Sequence, residues 1–221
     1  MKRSEINKLQ REAVKFLEKH DFHLPAWAYF RIEDWRKFRG DYGEVRKHKL
    51  GWDVTDFGGG DFAKLGLVIF TIRNGDRSGK GKVYGEKVLI MREGQKLPIH
   101  FHWRKMEDII VRAGGNLVFE LWNSTSADGL ARTPVTVKVD GVVKKIKAGA
   151  KLILEPGESV CVRQRLYHRF YPKRGTGAVL IGEVSSVNDD DRDNRFLEPM
   201  IRFPEIEEDE EILYPLTAEI P

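Results

Sequence analysis

A single cysteine, Cys161, stands among 221 residues. That scarcity excludes an internal disulfide framework and any zinc site built on paired cysteines, and it leaves Cys161 the role of a small core hydrophobe. No apolar run approaches the roughly 20 residues needed to cross a bilayer. The opening MKRSEINKLQREAVKFLEKHDF is charged throughout and has no signal-peptide stretch. A cytoplasmic protein with no membrane partner is expected. Charge of one sign is scarcely in excess, with 38 basic residues against 34 acidic ones. Five tryptophans are available for stacking, but no arginine-rich strand carries aligned aromatics, so nucleic acid is not an expected partner. Hydrophobic residues at 41% and charged residues at 33% suit a globular chain with one core.

Between Ser4 and His20, Ile6, Leu9, Ala13, Phe16 and Leu17 recur at helical spacing, with Ser4 placed to cap an amphipathic helix. The aromatic stretch FHLPAWAYFRIEDW is broken by Pro25 and suits a cover over another element. After Gly58-Gly59-Gly60 the pattern changes to short β-type runs: GLVIFTIRNG, KVYGEKVLIM, PIHFHW, EDIIVRA, NLVFELWN, PVTVKVDGVVKKIKAG, KLILEPGESVCVR, LYHRFYP and AVLIGEVSSV. Asp140-Gly141 between alternating valines signals a tight hairpin. Many short strands with no helices between them predict a mainly β fold, an antiparallel β-barrel or jelly roll. The expected division is an N-terminal helical and aromatic extension over 1–60, the barrel over 61–187 and a C-terminal extension over 188–221, all in one structural domain. The acidic run EIEEDEE is expected to be solvated.

In PIHFHW, His100 and His102 stand two apart, so on a strand they project from one face and share one ion. Glu107 has the wrong parity for that face unless the chain turns. A turn at Trp103, Arg104 and Lys105 would let EDIIVRA return antiparallel and bring Glu107 opposite the histidine pair. His168, in LYHRFYP, is the remaining histidine of the β region and completes the set. Three imidazoles and a carboxylate suit Mn, Fe, Co, Ni or Zn and leave positions for water or substrate.

The segment GQKLPIHFHWRKMEDIIVRAG resembles the first cupin motif, with Gly94, His100, His102, Glu107 and Gly114 at its positions. Gly149, Pro156, Gly157 and His168 follow the order of the second motif, with a longer interval before the histidine and no asparagine after it. The phrases YGEKVLIMREGQ, HFHWRKMEDII, GEVSSVNDDDRDNRF and RFPEIEEDE resemble the D-lyxose isomerase family of cupins over Tyr84 to Glu211. The resemblance implies a cupin-type barrel and an aldose–ketose isomerase acting on D-lyxose and D-xylulose, and on D-mannose and D-fructose. It further implies Mn²⁺ as the ion and a homodimer, for which Trp27, Tyr29, Phe30 and Trp35 offer either a dimer surface or a barrel cover.

Such chemistry needs a group that moves a proton between C2 and C1. On KVYGEKVLIM only one of Glu86 and Lys87 points inward, and the resemblance favours Lys87. Glu183 lies in the apolar AVLIGEVSSV, where a buried carboxylate requires a partner or a function. In EPMIRFPE, Glu198 and Glu205 flank Arg202, so a tail folded over the barrel mouth would deliver one of these carboxylates as acid/base. Glu198 and Glu205 are therefore the carboxylates expected in catalysis, with Glu183 and Arg202 touching the sugar. Rival readings of the same ligand set are an iron-dependent cupin dioxygenase and a sugar-binding cupin without catalysis.

Overall fold

The computed structural model describes all 221 residues. The chain opens with α1 (Arg3–Lys19), a 3₁₀ turn (Ala26–Tyr29), α2 (Ile32–Lys37) and α3 (Gly43–Lys47). Thirteen strands follow. They are β1 (Gly51–Thr55), β2 (Leu67–Arg73), β3 (Tyr84–Met91), β4 (His100–His102), β5 (Glu107–Gly114), β6 (Leu117–Asn123) and β7 (Val135–Val139), then β8 (Val142–Ile146), β9 (Lys151–Leu154), β10 (Ser159–Val162), β11 (Leu166–Pro172), β12 (Val179–Ser186) and β13 (Asn194–Phe196).

The strands form two antiparallel sheets, ordered β1-β2-β3-β12-β5-β10-β7-β8 and β13-β4-β11-β6-β9. Every expected β run forms at least one strand. In β7 the alternation is complete: Val135, Val137 and Val139 are buried while Thr136 and Lys138 face water, as a half-buried strand requires. The turn to β8 has φ of 49° at Asp140 and 81° at Gly141, the paired positive values of a two-residue type I′ hairpin. Leu89, Ile109 and Val137 of the larger sheet pack with Phe119, Leu154 and Phe170 of the smaller one in one core. This is the double-sheet arrangement expected of a jelly roll.

Helix α1 covers the outer face of the larger sheet. Its Ile6, Leu9, Ala13 and Leu17 pack with Val68, Phe70, Val88, Ile90 and Leu180, and apolar side chains so buried contribute about 1.5–3 kcal/mol each. The aromatic stretch acts as a cover: Trp35 is buried against Phe30 and Tyr42, and the Trp52 indole N–H donates to the Ala28 carbonyl at 2.7 Å.

Two expectations are corrected. Ser4 lies inside α1 and does not cap it; its backbone N–H and hydroxyl donate to Asp209 at 2.8 and 2.7 Å. The acidic run has every acid exposed to water, as expected, and also anchors α1. Glu208 and Glu219 enclose the fully buried Arg3, and Glu210 accepts from Asn7 at 2.7 Å. The second correction concerns β4 and β5, which do not form a hairpin. β4 pairs with β11 and β13 in one sheet, β5 with β10 and β12 in the other. The chain crosses between sheets at the turn after His102, so Glu107 meets the histidines across the sandwich and not along a shared ladder.

Candidate metal centre and active site

His168 stands opposite His100 in the β11–β4 register, and His102 shares the face of His100 two residues on. Ring centroids lie 4.3 Å apart for His100 and His168, 5.1 Å for His100 and His102, and 5.5 Å for His102 and His168. One ligand nitrogen from each ring falls within 4.8 Å of the others. Nitrogens bound to one ion at about 2.0–2.1 Å lie no more than about 4.2 Å apart, so a small contraction completes the cluster. From β5, Glu107 brings Oε1 to 3.3 Å from His102 Nε2 and 3.2 Å from His168 Nε2.

The donor set fits one divalent metal ion. Nδ1 of His100 sits 2.9 Å from the Pro98 carbonyl and Nδ1 of His168 sits 3.0 Å from the Leu166 carbonyl. A proton on each Nδ1 leaves Nε2 with its lone pair free, the tautomer a metal requires. His168 Nε2 is buried without a hydrogen-bond partner, a cost that a bound ion removes. Burial, reinforced by the neighbouring imidazoles, holds His100 well below its ordinary pKa; burial and Lys105 lower His102, against Glu107. Both rings are therefore held toward the neutral form that metal ligation requires. Burial pushes the Glu107 carboxyl up, but Lys105 and His102 outweigh it and hold it well below the usual carboxylate range.

A second polar group faces this cluster across one cavity. Lys87, 4% exposed on β3, reaches Asp190 at 3.0 Å. Arg202 reaches Asp53 at 3.0 Å and Asp190 at 3.9 Å. Glu183, on β12 in register with Lys87, accepts from Lys105 Nζ at 2.8 Å through Oε1, and its other oxygen has no hydrogen bond to protein. Apart from Asn194, the remaining wall is apolar and includes Phe57, Leu97, Phe170 and Phe196.

A D-lyxose isomerase family model matches residues 1–220. The chain belongs to the D-lyxose isomerase family. A D-lyxose/D-mannose isomerase of Serratia proteamaculans is 51% identical over 213 residues, covering 95% of this chain and 93% of that one. One from Escherichia coli O157:H7 is 50% identical, covering 95% and 94%. The fold is that of solved L-ribose isomerases. The ligand-free enzyme of Cellulomonas parahominis and the Acinetobacter sp. DL28 enzyme in complex with L-ribose each superpose with a TM-score of 0.61 at 14% identity, covering 94% of this chain and 98% of theirs.

In this D-lyxose isomerase family member the cavity gathers His100, His102, Glu107, His168, Lys87, Glu183 and Arg202. It does not gather Glu198 or Glu205. Both are exposed, and the Glu205 carbonyl instead accepts from the Met1 ammonium at 2.9 Å. The tail does fold over the cavity, but the side chain it delivers there is Arg202. Sequence reasoning missed Lys105 and Asp190. Lys105 reads from the sequence as a turn residue, and Asp190 is one of three consecutive aspartates with no periodicity to single it out. The lone available signal for Lys105 is its place between two expected ligands, His102 and Glu107.

Proposed function

We propose that this protein is a metal-dependent aldose–ketose isomerase that interconverts D-lyxose with D-xylulose and D-mannose with D-fructose, using Mn²⁺ held by His100, His102, Glu107 and His168. The observation that carries this reading is the confrontation, across one cavity, of a three-imidazole, one-carboxylate cluster with Lys87, Glu183, Asp190 and Arg202. The relatives' activity on D-lyxose and D-mannose supports the substrate assignment.

The reaction moves one proton from C2 to C1 and one from the C2 hydroxyl to the C1 oxygen, with no net gain or loss of atoms. When bound, a divalent ion supplies Lewis acidity at the carbonyl and the adjacent hydroxyl oxygen. Glu183 takes the C2 proton on the oxygen that Lys105 leaves free and returns it at C1. The Lys87 ammonium, oriented by Asp190, donates to the sugar oxygens and passes the proton between them. Arg202 holds Asp190 in place and contacts the distal hydroxyls. Phe57, Leu97 and Phe196 keep water from the reacting carbons.

The test is to add Mn²⁺ to metal-stripped protein with D-lyxose or D-mannose under nitrogen and follow ketose formation. Turnover without oxygen separates an isomerase from a dioxygenase. No conversion of any pentose or hexose would sink the proposal. We also read the protein as a cytoplasmic homodimer. The lone free thiol Cys161 fits a reducing compartment, and the edge strand β8 leaves Val142 and Val143 each 62% exposed. A solution mass of one chain, 25.5 kDa, would refute the dimer. No helix is long and apolar enough to cross a membrane.

A further inference from the structure

Lys105 has the most enclosed ammonium of the cavity. The residue is 3% exposed, and Nζ lies 2.7 Å from Glu107 Oε2 and 2.8 Å from Glu183 Oε1. A lone charge so buried would be strongly unfavourable; two carboxylates offset that cost. Its backbone is fixed as firmly as its side chain. Asp193, 2% exposed, accepts from the backbone N–H groups of Arg104 and Lys105 at 2.9 Å each, and its carbonyl accepts from Trp103 at 3.0 Å. The turn after β4 is thereby locked with Lys105 aimed between two acids that come from different strands.

Each contact occupies one carboxylate oxygen and leaves the other. Glu107 keeps Oε1 toward His102 and His168; Glu183 keeps Oε2, which has no protein partner. We propose that Lys105 is a positioning residue that forces single-oxygen presentation: Glu107 offers only Oε1 to the metal, and Glu183 offers only Oε2 to the substrate. This rests on the metal-centre reading above. It explains why a lysine, and not an apolar side chain, fills the space between two acids beside a cationic site. Lys105 blocks two-oxygen chelation by Glu107, keeps Glu183 from swinging toward the ion as an extra ligand, and so leaves coordination positions for the sugar.

The experiment titrates Mn²⁺ alone, by calorimetry, into metal-stripped full-length protein. The variants are Lys105→Met, Glu107→Gln and their combination, with Lys105→Gln as a second replacement should methionine impair folding. Without Lys105, Glu107 is free to chelate through both oxygens and Glu183 to join the ion, so Mn²⁺ affinity should rise in either Lys105 variant, by up to the roughly 10–100-fold that partners of metal ligands generally carry. In the Glu107→Gln background, where the amide offers one oxygen, the same replacement should give a smaller gain. Unchanged or weaker Mn²⁺ binding in Lys105→Met, or an equal gain in both backgrounds, overturns the proposal and leaves the metal centre standing. Wild-type protein that binds no Mn²⁺ removes the metal centre itself, and the role of Lys105 with it.

Discussion

His168 lies directly across the β11–β4 ladder from His100, the rings 4.3 Å apart, although 68 positions separate them in the chain (168 − 100). Loss of either ring should therefore damage the same ion site. His168→Ala and His102→Ala are each expected to abolish stoichiometric Mn²⁺ binding, read by metal analysis after gel filtration. Retention of one ion per chain in either variant would contradict the assignment.

Glu183 and the two tail glutamates make opposite predictions. Glu183→Gln removes the proposed base and should lower kcat by about 10²–10⁴-fold with Mn²⁺ still bound. Glu198 and Glu205 are exposed, and surface replacements shift stability by no more than about 0.5 kcal/mol, so Glu198→Gln should leave turnover near wild type. Steady-state kinetics on D-lyxose decide. A kcat loss for Glu198→Gln as large as that for Glu183→Gln would return the tail carboxylate to the site.

Lys87→Met tests the proton path between oxygens. The replacement keeps all but the last atom of the unbranched side chain, removes the donor and leaves Asp190 without its 3.0 Å partner. A kcat loss of at least about 10²-fold is expected, with Mn²⁺ affinity nearly unchanged because Lys87 touches none of the proposed ligands. Metal affinity that falls as far as kcat would mean that Lys87 supports the ion instead.

The acid limb of stability carries the signature of Asp190. Burial pushes its carboxyl up, but Lys87 and Arg202 pull harder and hold it well below its ordinary 3.8. A lowered folded-state pKa makes ionised Asp190 stabilising above the unfolded value, and that contribution disappears as pH falls through the folded value. Asp190→Asn should therefore lower Tm of the metal-stripped protein at pH 7, and the gap to wild type should narrow below about pH 4. A gap as wide at pH 3 as at pH 7 would show that the charge of Asp190 is not what stabilises.

Arg3 ties the first turn of α1 to the tail through Glu208 and Glu219. Its side chain is fully buried while Glu208 is half exposed, so Arg3→Ala should cost about 2–4 kcal/mol, less than a fully buried pair. Thermal unfolding should show a fall in Tm of roughly 5–10 °C. A change within error would mean that the clasp contributes nothing to the fold.

Local chemistry was enough for the sequence to determine strands, one hairpin and one pair of ligands. Period-2 alternation marked β7, Asp140-Gly141 supplied the positive φ values of its turn, and parity put His100 and His102 on one face. The apolar spacing of α1 likewise fixed which side it buries. Beyond that hairpin, tertiary structure alone decided which strands were neighbours. The turn after His102 reads equally well as a hairpin or as a crossing between sheets, because either satisfies the local backbone; pairing with β11 and β13 selects the crossing. The same limit hid Lys105, Asp190 and Asp193. A buried charge is tolerated only where distant groups compensate it, and those groups, Glu183 for Lys105 and Lys87 for Asp190, lie 78 and 103 residues away in the chain.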